Sequence, residues 1–459
     1  MIASSPELAI ELRKIVGHDH VLTENDLTAG YSIDWTGRFV GSTPIVVRPS
    51  NTEETASVVE LLNRNSIPLI PQGGNTGLVG GSVPMSGEVL LSLKRLNALE
   101  PVDGLALQVT VGAGATLAET QAHVREHNFE IGVDLAARDS CTIGGMIATN
   151  AGGINVLRYG AMREQFVGVE AVMSDGTVIK HLEGLEKDNT GYHLPSLLAG
   201  SEGTLAIITK ARLRLRPRLP DKVTALIAFD SVHDAVAVST RLRQKLPSLH
   251  ALEGIFSSAM TLVSAHIGAQ IPVGPNGKAW LLVEVASGTD PFEEFQHALG
   301  HCDDAILDVA VATDDRSRSK LWQFREQITE AIAITGTPHK LDVTIGLSRL
   351  EKFIDEIPEV VKLADPDSLT YLFGHLGDGN VHVNVVGIDG SEPSNVVESA
   401  VLNYVASLGG SISAEHGIGT AKKSYLHLNR TGDELRFFRN IKMALDPNNI
   451  MHPNCLLSD

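Results

Sequence analysis

The spacing of hydrophobic and polar positions predicts a β–α–β unit near the N-terminus. Residues 6–16 and 51–65 have the period of amphipathic helices. Asn51 and the acidic residues after it are typical of a helix N-terminus. Runs rich in β-branched and aliphatic residues at 45–48 and 68–71 bracket the second helix and are predicted to be short strands.

Glycine density and proline positions divide the rest of the chain. Glycines are dense from Gly73 to Gly203 and sparser from 220 to 370. Residues 212–216 alternate as a strand does, and Pro217 and Pro220 then interrupt the pattern. We therefore predict an α+β protein with a first domain at 1–218, a second α+β domain at 219–400, and a C-terminal segment at 401–459 that carries a helix at 434–445 and partly returns to the first domain.

Composition excludes several classes of function. The formal net charge of −18 argues against nucleic acid and anionic membranes as partners. The 3 cysteines, Cys141, Cys302 and Cys455, show no Cys-x-x-Cys spacing, so neither a disulfide framework nor a sulfur-bound metal is expected. No apolar run is long enough to span a bilayer, and Met1 to Pro6 lack the pattern of a secretory signal. We expect a cytoplasmic protein without an integral membrane segment.

Segments of small residues are the first candidates for ligand binding. They lie at 71–82, 134–153 and 199–209. Glycine-rich backbone can bring several N–H groups onto a phosphate. The spacing is neither Gly-x-Gly-x-x-Gly nor that of a nucleotide triphosphatase loop. The first segment alone could be a plain loop, and all of them could be tight turns, but together they suggest an extended ligand threaded between backbone segments.

A pair of histidines suggests a metal site. Asp378-Gly379 is a strong signal for a two-residue hairpin loop. That loop would set His375 directly opposite His382 on one face of the sheet, where two imidazoles can share an ion. Asn384 would lie on the same face as His382. The alternative is that these are polar residues satisfied at a sheet edge.

A third ligand is offered by Glu415 in a glycine-flanked turn. Two histidines and one carboxylate with an open position form a catalytic zinc pattern, although Mn, Fe and Co accept the same donors. His416 is adjacent to Glu415, and neighbouring side chains in extended chain point in different directions. His416 is therefore assigned as the general base that removes a hydroxyl proton.

Basic and hydroxyl side chains provide candidate anchors for an anion. Arg325 and Thr329 are four residues apart on a predicted helix, so they would share a face. Lys340 follows a turn that begins at Gly336. An arginine fork can bind a carboxylate through two hydrogen bonds. A solvated helix face is the alternative.

The three small-residue segments, in this order, resemble the FAD-binding domain of the vanillyl-alcohol oxidase family, in its D-2-hydroxyacid dehydrogenase branch. The resemblance covers nearly the whole chain. It implies a PCMH-type FAD-binding domain followed by a substrate-binding cap domain, with the pyrophosphate on the 73–82 loop and the 142–145 turn. The first loop lacks the histidine that covalent members use, so non-covalent FAD is expected. The implied cofactor-binding residues are Pro71, Gly73, Gly74, Asn75, Thr76, Gly77, Gly80, Gly81, Ser82, Asp134, Ser140, Thr142, Gly144, Gly145, Asn150, Gly152, Gly153, Glu202, Gly203 and Ile207.

The same resemblance implies a substrate. Members that oxidise D-2-hydroxyglutarate carry an Arg-x3-Thr followed by a Lys at this spacing. Oxidation to 2-oxoglutarate by hydride transfer from C2 to flavin N5 is therefore expected, with electron-transfer flavoprotein or quinone as acceptor. A homodimer is one candidate for the oligomeric state, which the sequence alone does not give. The implied metal ligands are His375, His382 and Glu415, and the implied substrate-binding residues are Arg325, Thr329, Lys340, Asn384 and His416.

Other readings stay open. The substrate could be D-malate, D-lactate or glycolate, or the chain could be a flavin-binding subunit of a glycolate-oxidising assembly. A zinc hydrolase with purely structural glycine loops is a third class. Two positions depart from the family. Relatives often read Asn-Pro-x-Lys near the C-terminus, with the Asn near the flavin, and this chain has His452 there. Ala206 replaces a glycine that is common in the third segment.

Overall fold

The computed structural model describes residues 6–457, without the side chain of Asp303, and divides into two compact units. Unit 1 consists of the chain up to Arg218 together with the chain from Glu415 onward, and unit 2 is Leu219–Ala414. Residues 1–5, part of the segment considered for a secretory signal, lie outside the described residues. No helix in the described part of the chain is long and apolar enough to cross a membrane.

The first sheet of unit 1 contains the predicted β–α–β unit. It is four-stranded with the order β1-β2-β4-β3, and β2 and β3 lie parallel to β4 on either side of it. The predicted helix begins as expected, because the Asn51 side chain accepts a hydrogen bond of 2.8 Å from the Glu54 N–H. The elements are α1 Pro6–Val16, β1 Val21–Leu22, α2 Asn25–Thr28, β2 Val46–Val47, α3 Thr52–Arg64, β3 Leu69–Gln72 and β4 Val89–Ser92.

The second sheet of unit 1 is built around one long strand, β9. The order is β5-β9-β7-β8, and β6 also pairs with β9. Ala211, Leu213 and Leu215 of β9 are buried while the intervening arginines are not, which confirms the alternation predicted from the sequence. The elements are β5 Gln108–Gly112, α4 Leu117–Arg125, β6 Phe129–Ile131, α5 Ile143–Ala148, α6 Val156–Tyr159, α7 Met162–Gln165, β7 Phe166–Val172, β8 Val178–His181, α8 Leu194–Leu198 and β9 Ile207–Pro217.

Unit 2 is a seven-stranded sheet with helices. The strand order is β13-β10-β12-β11-β15-β16-β14, and each neighbouring pair is antiparallel. The elements are β10 Asp221–Phe229, α9 Val232–Lys245, β11 Leu249–Phe256, α10 Ser257–Ile267, β12 Ala279–Ser287, α11 Phe292–Gly300, β13 Asp308–Ala312, α12 Asp315–Glu326, α13 Ile328–Thr335, β14 His339–Thr344, α14 Leu347–Ala364, β15 Ser368–Gly374, β16 Asn380–Gly387 and α15 Asn395–Ser407.

One face of the unit 2 sheet forms a hydrophobic core with α10, α12 and α13. Trp280, Ile255 and Phe373 occupy paired positions on adjacent strands, so they lie on the same face. Phe324 of α12 and Ile328 of α13 pack into this cluster. The packing holds the end of α12 against the strands that carry the polar residues described below.

The chain returns to unit 1 at Glu415, and residues 450–452 lie along the first sheet of that unit. The helix predicted at 434–445 is confirmed as α16, Gly432–Leu445. After it, the Leu69 N–H donates to the Ile450 carbonyl at 2.9 Å and the His452 N–H donates to the Leu69 carbonyl at 2.9 Å. These bonds extend the edge of β3.

Candidate functional site

The small-residue segments of unit 1 converge. A Cβ atom added to Gly73 would lie 2.2 Å from the Thr142 hydroxyl oxygen, and one added to Gly74 would lie 2.0 Å from the Ser140 carbonyl oxygen. A Cβ atom on Gly203 would meet Pro71 at 2.6 Å. Contacts this short exclude side chains at all three positions, so the three segments lie against one another.

The backbone N–H groups of the first loop are available to a ligand. Among residues 6–457, the N–H groups from Gly73 to Gly77 donate to no protein acceptor. The loop is instead held through side chains: Asn75, in the left-handed region with φ 59°, donates to the Ile33 carbonyl at 2.8 Å and accepts from the Ser82 hydroxyl at 2.7 Å. Such a row of N–H groups fits the phosphates of a dinucleotide cofactor.

Polar side chains stabilise the second segment. The Thr142 hydroxyl accepts a 3.4 Å hydrogen bond from the Gly145 N–H at the start of α5. Asp134 forms two 3.0 Å hydrogen bonds with the Arg138 guanidinium, and the Asn150 side chain accepts from the Arg163 N–H at 2.9 Å. Direct contacts of Asp134 and Asn150 with a cofactor stay predictions.

The third segment is hydrogen-bonded to the turn that carries Glu415 and His416. The Glu202 carboxylate accepts hydrogen bonds from the N–H groups of Ile418 at 2.8 Å and Gly419 at 2.7 Å, and burial raises the pKa of Glu202. Glu415 itself accepts a 2.6 Å hydrogen bond from the Gly153 N–H. The proposed ligand and base are thus tied, within unit 1, to two of the small-residue segments.

His452 is enclosed next to the first loop. It is 1% exposed, has a left-handed backbone with φ 49°, and its Nε2–H donates to the Gly81 carbonyl. Its Nδ1 has no hydrogen-bond partner among the described residues. Burial lowers the pKa of His452 from 6.5 to about 4, so the ring is neutral at pH 7.

We expect this ring to make the protein sensitive to acid. Between pH 6.5 and pH 4 the unfolded chain binds a proton at His452 that the folded chain excludes. The contribution of His452 to the free energy of unfolding is therefore complete above pH 6.5 and is lost as the pH falls to about 4. The loss amounts to about 3 kcal/mol at 1.36 kcal/mol per pKa unit. His452→Asn keeps a residue that tolerates φ > 0 and removes the titration. Unfolding free energies at pH 7 and pH 4 should differ less in this variant; equal pH dependence in both proteins would contradict the prediction.

The two predicted metal ligands of unit 2 are close together. The ring centroids of His375 and His382 are 5.4 Å apart and the rings are nearly perpendicular, with one nitrogen from each ring within 4.8 Å of the other. The predicted hairpin register was wrong, because Phe373 rather than His375 pairs with His382 and the loop between the strands is longer than two residues. His375 lies in the loop after β15, two residues beyond Phe373, and its ring still lies close to that of His382.

Each histidine is oriented by a buried carboxylate that the sequence reasoning missed. Glu253 accepts from His375 Nδ1 at 2.6 Å, and Asp342 pairs with His382 Nδ1 at 3.1 Å. Both acids are buried. Burial alone would raise the pKa of Glu253, but attraction to His375 and Arg325 outweighs it and lowers the pKa to about 2. A carboxylate on Nδ1 fixes the tautomer that leaves Nε2 as a metal ligand, which is the usual support of metal-binding histidines.

Arg325 reaches the same carboxylate. Its Nε–H donates to the second oxygen of Glu253 at 2.6 Å, and its guanidinium carbon lies 4.7 Å from the centre of the Phe373 ring. The terminal amino groups donate to no protein acceptor within the described chain. The arginine is therefore held at one side of its fork while the other side suits a carboxylate ligand.

The remaining predicted anchors are placed differently. The single helix predicted for Arg325 and Thr329 is wrong: α12 ends before Gln327 and α13 begins after it, so the exposed Thr329 lies in the first turn of a second helix. Lys340 and Asn384 are paired neighbours on β14 and β16. Burial lowers the pKa of Lys340. Lys340 and Asn384 thus belong to the strand face that also carries His382.

Comparison with known families identifies the class of protein. A model described as "FAD binding domain" matches residues 43–181, and one described as "FAD linked oxidases, C-terminal domain" matches residues 218–455. These matches define a flavoprotein oxidoreductase. The chain belongs to the FAD-linked oxidase family, which confirms the resemblance drawn from its small-residue segments.

Curated relatives cover nearly the whole chain. A D-2-hydroxyglutarate dehydrogenase of Xanthomonas citri pv. viticola is 38% identical over 93% of this chain and 92% of its own. The mitochondrial D-2-hydroxyglutarate dehydrogenase of Bos taurus is 34% identical over 99% of this chain and 84% of its own. A mitochondrial protein of Schizosaccharomyces pombe, provisionally assigned as a D-lactate dehydrogenase, is 32% identical over 96% of this chain and 88% of its own.

Solved structures confirm the fold class. p-Cresol methylhydroxylase with substrate bound aligns with a TM-score of 0.76 at 18% identity, over 98% of this chain and 96% of its own. The 4-ethylphenol oxidase of Gulosibacter chungangensis aligns with a TM-score of 0.75 at 16% identity, over the same shares of the two chains. The predicted α+β protein with a PCMH-type FAD-binding domain is therefore confirmed.

Proposed function

We propose that this chain is an FAD- and metal-dependent dehydrogenase that oxidises D-2-hydroxyglutarate to 2-oxoglutarate and passes the electrons to an external acceptor, an electron-transfer flavoprotein or a quinone. The observation that carries the proposal is the arrangement around Glu253, which brings an arginine fork beside a histidine pair. A 2-hydroxy dicarboxylate needs both: a cation for the distal carboxylate and an electrophile for the hydroxy acid end.

FAD, when bound, supplies the hydride acceptor for C2 of the substrate. The loop at 73–77 fits its pyrophosphate, because consecutive N–H groups there lack protein acceptors among the described residues. The absence of a histidine in this loop supports a non-covalent cofactor.

A divalent ion would be held by His375 and His382, with Glu415 as third ligand. The carboxylates of Glu253 and Asp342 behind the two histidines support this ligand set. The ion, when bound, would polarise the hydroxyl and α-carboxylate oxygens of the substrate as a Lewis acid. Two histidines and a carboxylate favour zinc, and manganese, iron and cobalt are the other candidates.

The remaining residues bind the substrate and move its proton. His416 takes the hydroxyl proton as general base while hydride leaves C2. The terminal amino groups of Arg325 bind the distal carboxylate, and the Thr329 hydroxyl adds a donor. Lys340 and Asn384 offer further donors on the strand face next to His382.

A panel of D- and L-2-hydroxy acids with an artificial dye as electron acceptor tests the function. D-2-hydroxyglutarate should be oxidised fastest, and its L enantiomer should be inactive. A protein that is yellow and reduces the dye is no zinc hydrolase. Flavin absorbance without any dehydrogenase activity would instead support the flavin-binding subunit.

A second candidate substrate class rests on the Schizosaccharomyces pombe relative. Its provisional assignment favours D-lactate, and the shorter dicarboxylate D-malate could use the same anchors. Both belong in the panel. A higher kcat/KM for D-lactate than for D-2-hydroxyglutarate would contradict the dicarboxylate assignment.

We expect FAD to be released by acid. A non-covalent flavin leaves the protein when the fold is destroyed, so acid precipitation should transfer all flavin absorbance to the supernatant. Flavin retained in the washed pellet would show a covalent bond.

A cytoplasmic location and a homodimer also stay predictions, and the mitochondrial relatives are a reason to test the cytoplasmic location by fractionation.

A further inference from the structure

Glu253 contacts both a proposed metal ligand, His375, and the proposed anchor of the distal carboxylate, Arg325. One carboxylate oxygen accepts from His375 and the other accepts from Arg325, each at 2.6 Å. The side chain of Glu253 is 1% exposed and those of His375 and Arg325 are 8% and 12% exposed. Water therefore cannot replace either partner without opening the core of unit 2.

The backbone keeps this contact short. Gly254 of β11 pairs with Gly374 of β15, directly before His375. A Cβ atom on Gly254 would lie 2.1 Å from a methyl carbon of Leu376, so the absence of a side chain there lets the loop after β15 pack against β11. The position of His375 is thus set from β11 as well as from its own strand.

Resting on the proposed function, we propose that Glu253 is a positioning residue that couples metal binding to dicarboxylate selectivity. It holds His375 with Nδ1 protonated, so that Nε2 serves the ion, and it orients the Arg325 fork. An ion bound to His375 and a substrate carboxylate bound to Arg325 would then both favour the same position of the Glu253 carboxylate. Metal affinity and preference for the dicarboxylate should change together when Glu253 is changed.

Glu253→Gln tests the coupling because an amide can accept from only one side through its oxygen and offers a donor to the other partner. Metal affinity, measured by competition with a chelator, should fall about 10- to 100-fold. The ratio of kcat/KM for D-2-hydroxyglutarate to that for D-lactate should fall about tenfold, which corresponds to about 1.4 kcal/mol. Glu253→Asp keeps the carboxylate and should lie between wild type and Glu253→Gln in both measurements.

Glu284→Gln is a matched control. Glu284 is a buried acid on the neighbouring strand β12 that binds Lys222, Thr224 and Trp322 at 2.9–3.0 Å. This variant should lose stability but keep wild-type metal affinity and selectivity. Unchanged values in Glu253→Gln, or equal changes in Glu284→Gln, would overturn the coupling. A wild-type protein that needs no metal would instead refute the proposed function itself.

A second, independent observation points to a surface metal site. His297 and His301 are exposed and four residues apart at the end of α11, and their Nε2 atoms share a hydrogen bond of 3.2 Å with each other. Two nitrogens bound at ~2.05 Å to one tetrahedral ion lie about 3.3 Å apart. We infer that this pair chelates a divalent transition-metal ion, with water completing the shell. Glu293, one turn earlier on the same helix face, adds negative charge nearby.

Zinc titration of the untagged holoprotein tests this site. Wild type should bind one more zinc equivalent than His301→Ala, with dye reduction unchanged. The other pair at this spacing, His123 and His127, is the control, because its rings are 6.2 Å apart and His123 Nε2 already bonds the Glu100 carbonyl at 2.9 Å. His127→Ala should therefore match wild type. Equal zinc stoichiometry in wild type and His301→Ala would overturn the inference.

Discussion

Replacing His375 with alanine should remove the bound ion and nearly all activity together. Lewis-acid stabilisation by a metal contributes several kcal/mol, and each ~1.4 kcal/mol is tenfold in rate, so kcat/KM for D-2-hydroxyglutarate should fall at least about 1,000-fold. Glu415→Ala should behave alike. Metal content by mass spectrometry and dye reduction are the two measurements. The FAD content of His375→Ala should stay normal, because His375 lies in unit 2 and the residues that match an FAD-binding domain, 43–181, lie in unit 1.

Chelation gives the same result without a mutation. Prolonged treatment of wild type with a chelator should abolish turnover while flavin absorbance remains. Addition of one of the candidate divalent ions should restore turnover. His233→Ala is a suitable control for the His375→Ala substitution, because His233 is an exposed histidine in the same unit that pairs with Glu351. This control should keep its metal and its activity. Full activity in metal-free protein would show that the two histidines have only a structural role.

Replacing Arg325 with alanine should lower kcat/KM for D-2-hydroxyglutarate at least ~100-fold. The distal carboxylate would lose its only proposed arginine partner, and an unpaired buried charge costs about 3–5 kcal/mol. At about 1.36 kcal/mol per decade this loss exceeds two orders of magnitude. The D-lactate rate should fall less, because D-lactate has no distal carboxylate. Some loss is expected even there, since Glu253 also loses a partner.

Arg325→Lys separates the two contributions. A lysine keeps a positive charge near Glu253 but cannot offer the planar fork. It should therefore recover much of the D-lactate rate and little of the D-2-hydroxyglutarate rate. Equal losses on both substrates in both variants would place Arg325 in a purely structural role, and the dicarboxylate assignment would then lack physical support.

Local patterns predicted the parts of this protein that depend on local interactions. The cap at Asn51, the alternation in β9 and the convergence of small residues follow from spacing and side-chain chemistry. The proximity of His375 and His382 was also predicted from the hairpin signal at Asp378-Gly379, although His375 lies in the loop rather than opposite His382 in the sheet. The length of the loop between β15 and β16 was not predictable, because this loop packs against Gly254 of β11, which is distant in the sequence.

Glu253 and Asp342 could have been suspected but not placed. Each is the only acid in its strand, and a buried acid requires a partner. Which partner it has depends on the strand order, with β11 next to β15 and β14 next to β16. No spacing rule gives that order. The break at Gln327 was missed for a similar reason, because residues on both sides of it carry helical patterns.

The bonds between Leu69 and residues 450–452 have a consequence for biosynthesis. Leu69 is synthesised long before its partners Ile450 and His452. Unit 2 is continuous in the chain, so its residues are all available before those that complete unit 1. Unit 1 can therefore complete its fold only after the whole of unit 2 has been synthesised, and truncation before Ile450 should yield a folded unit 2 and an incomplete unit 1.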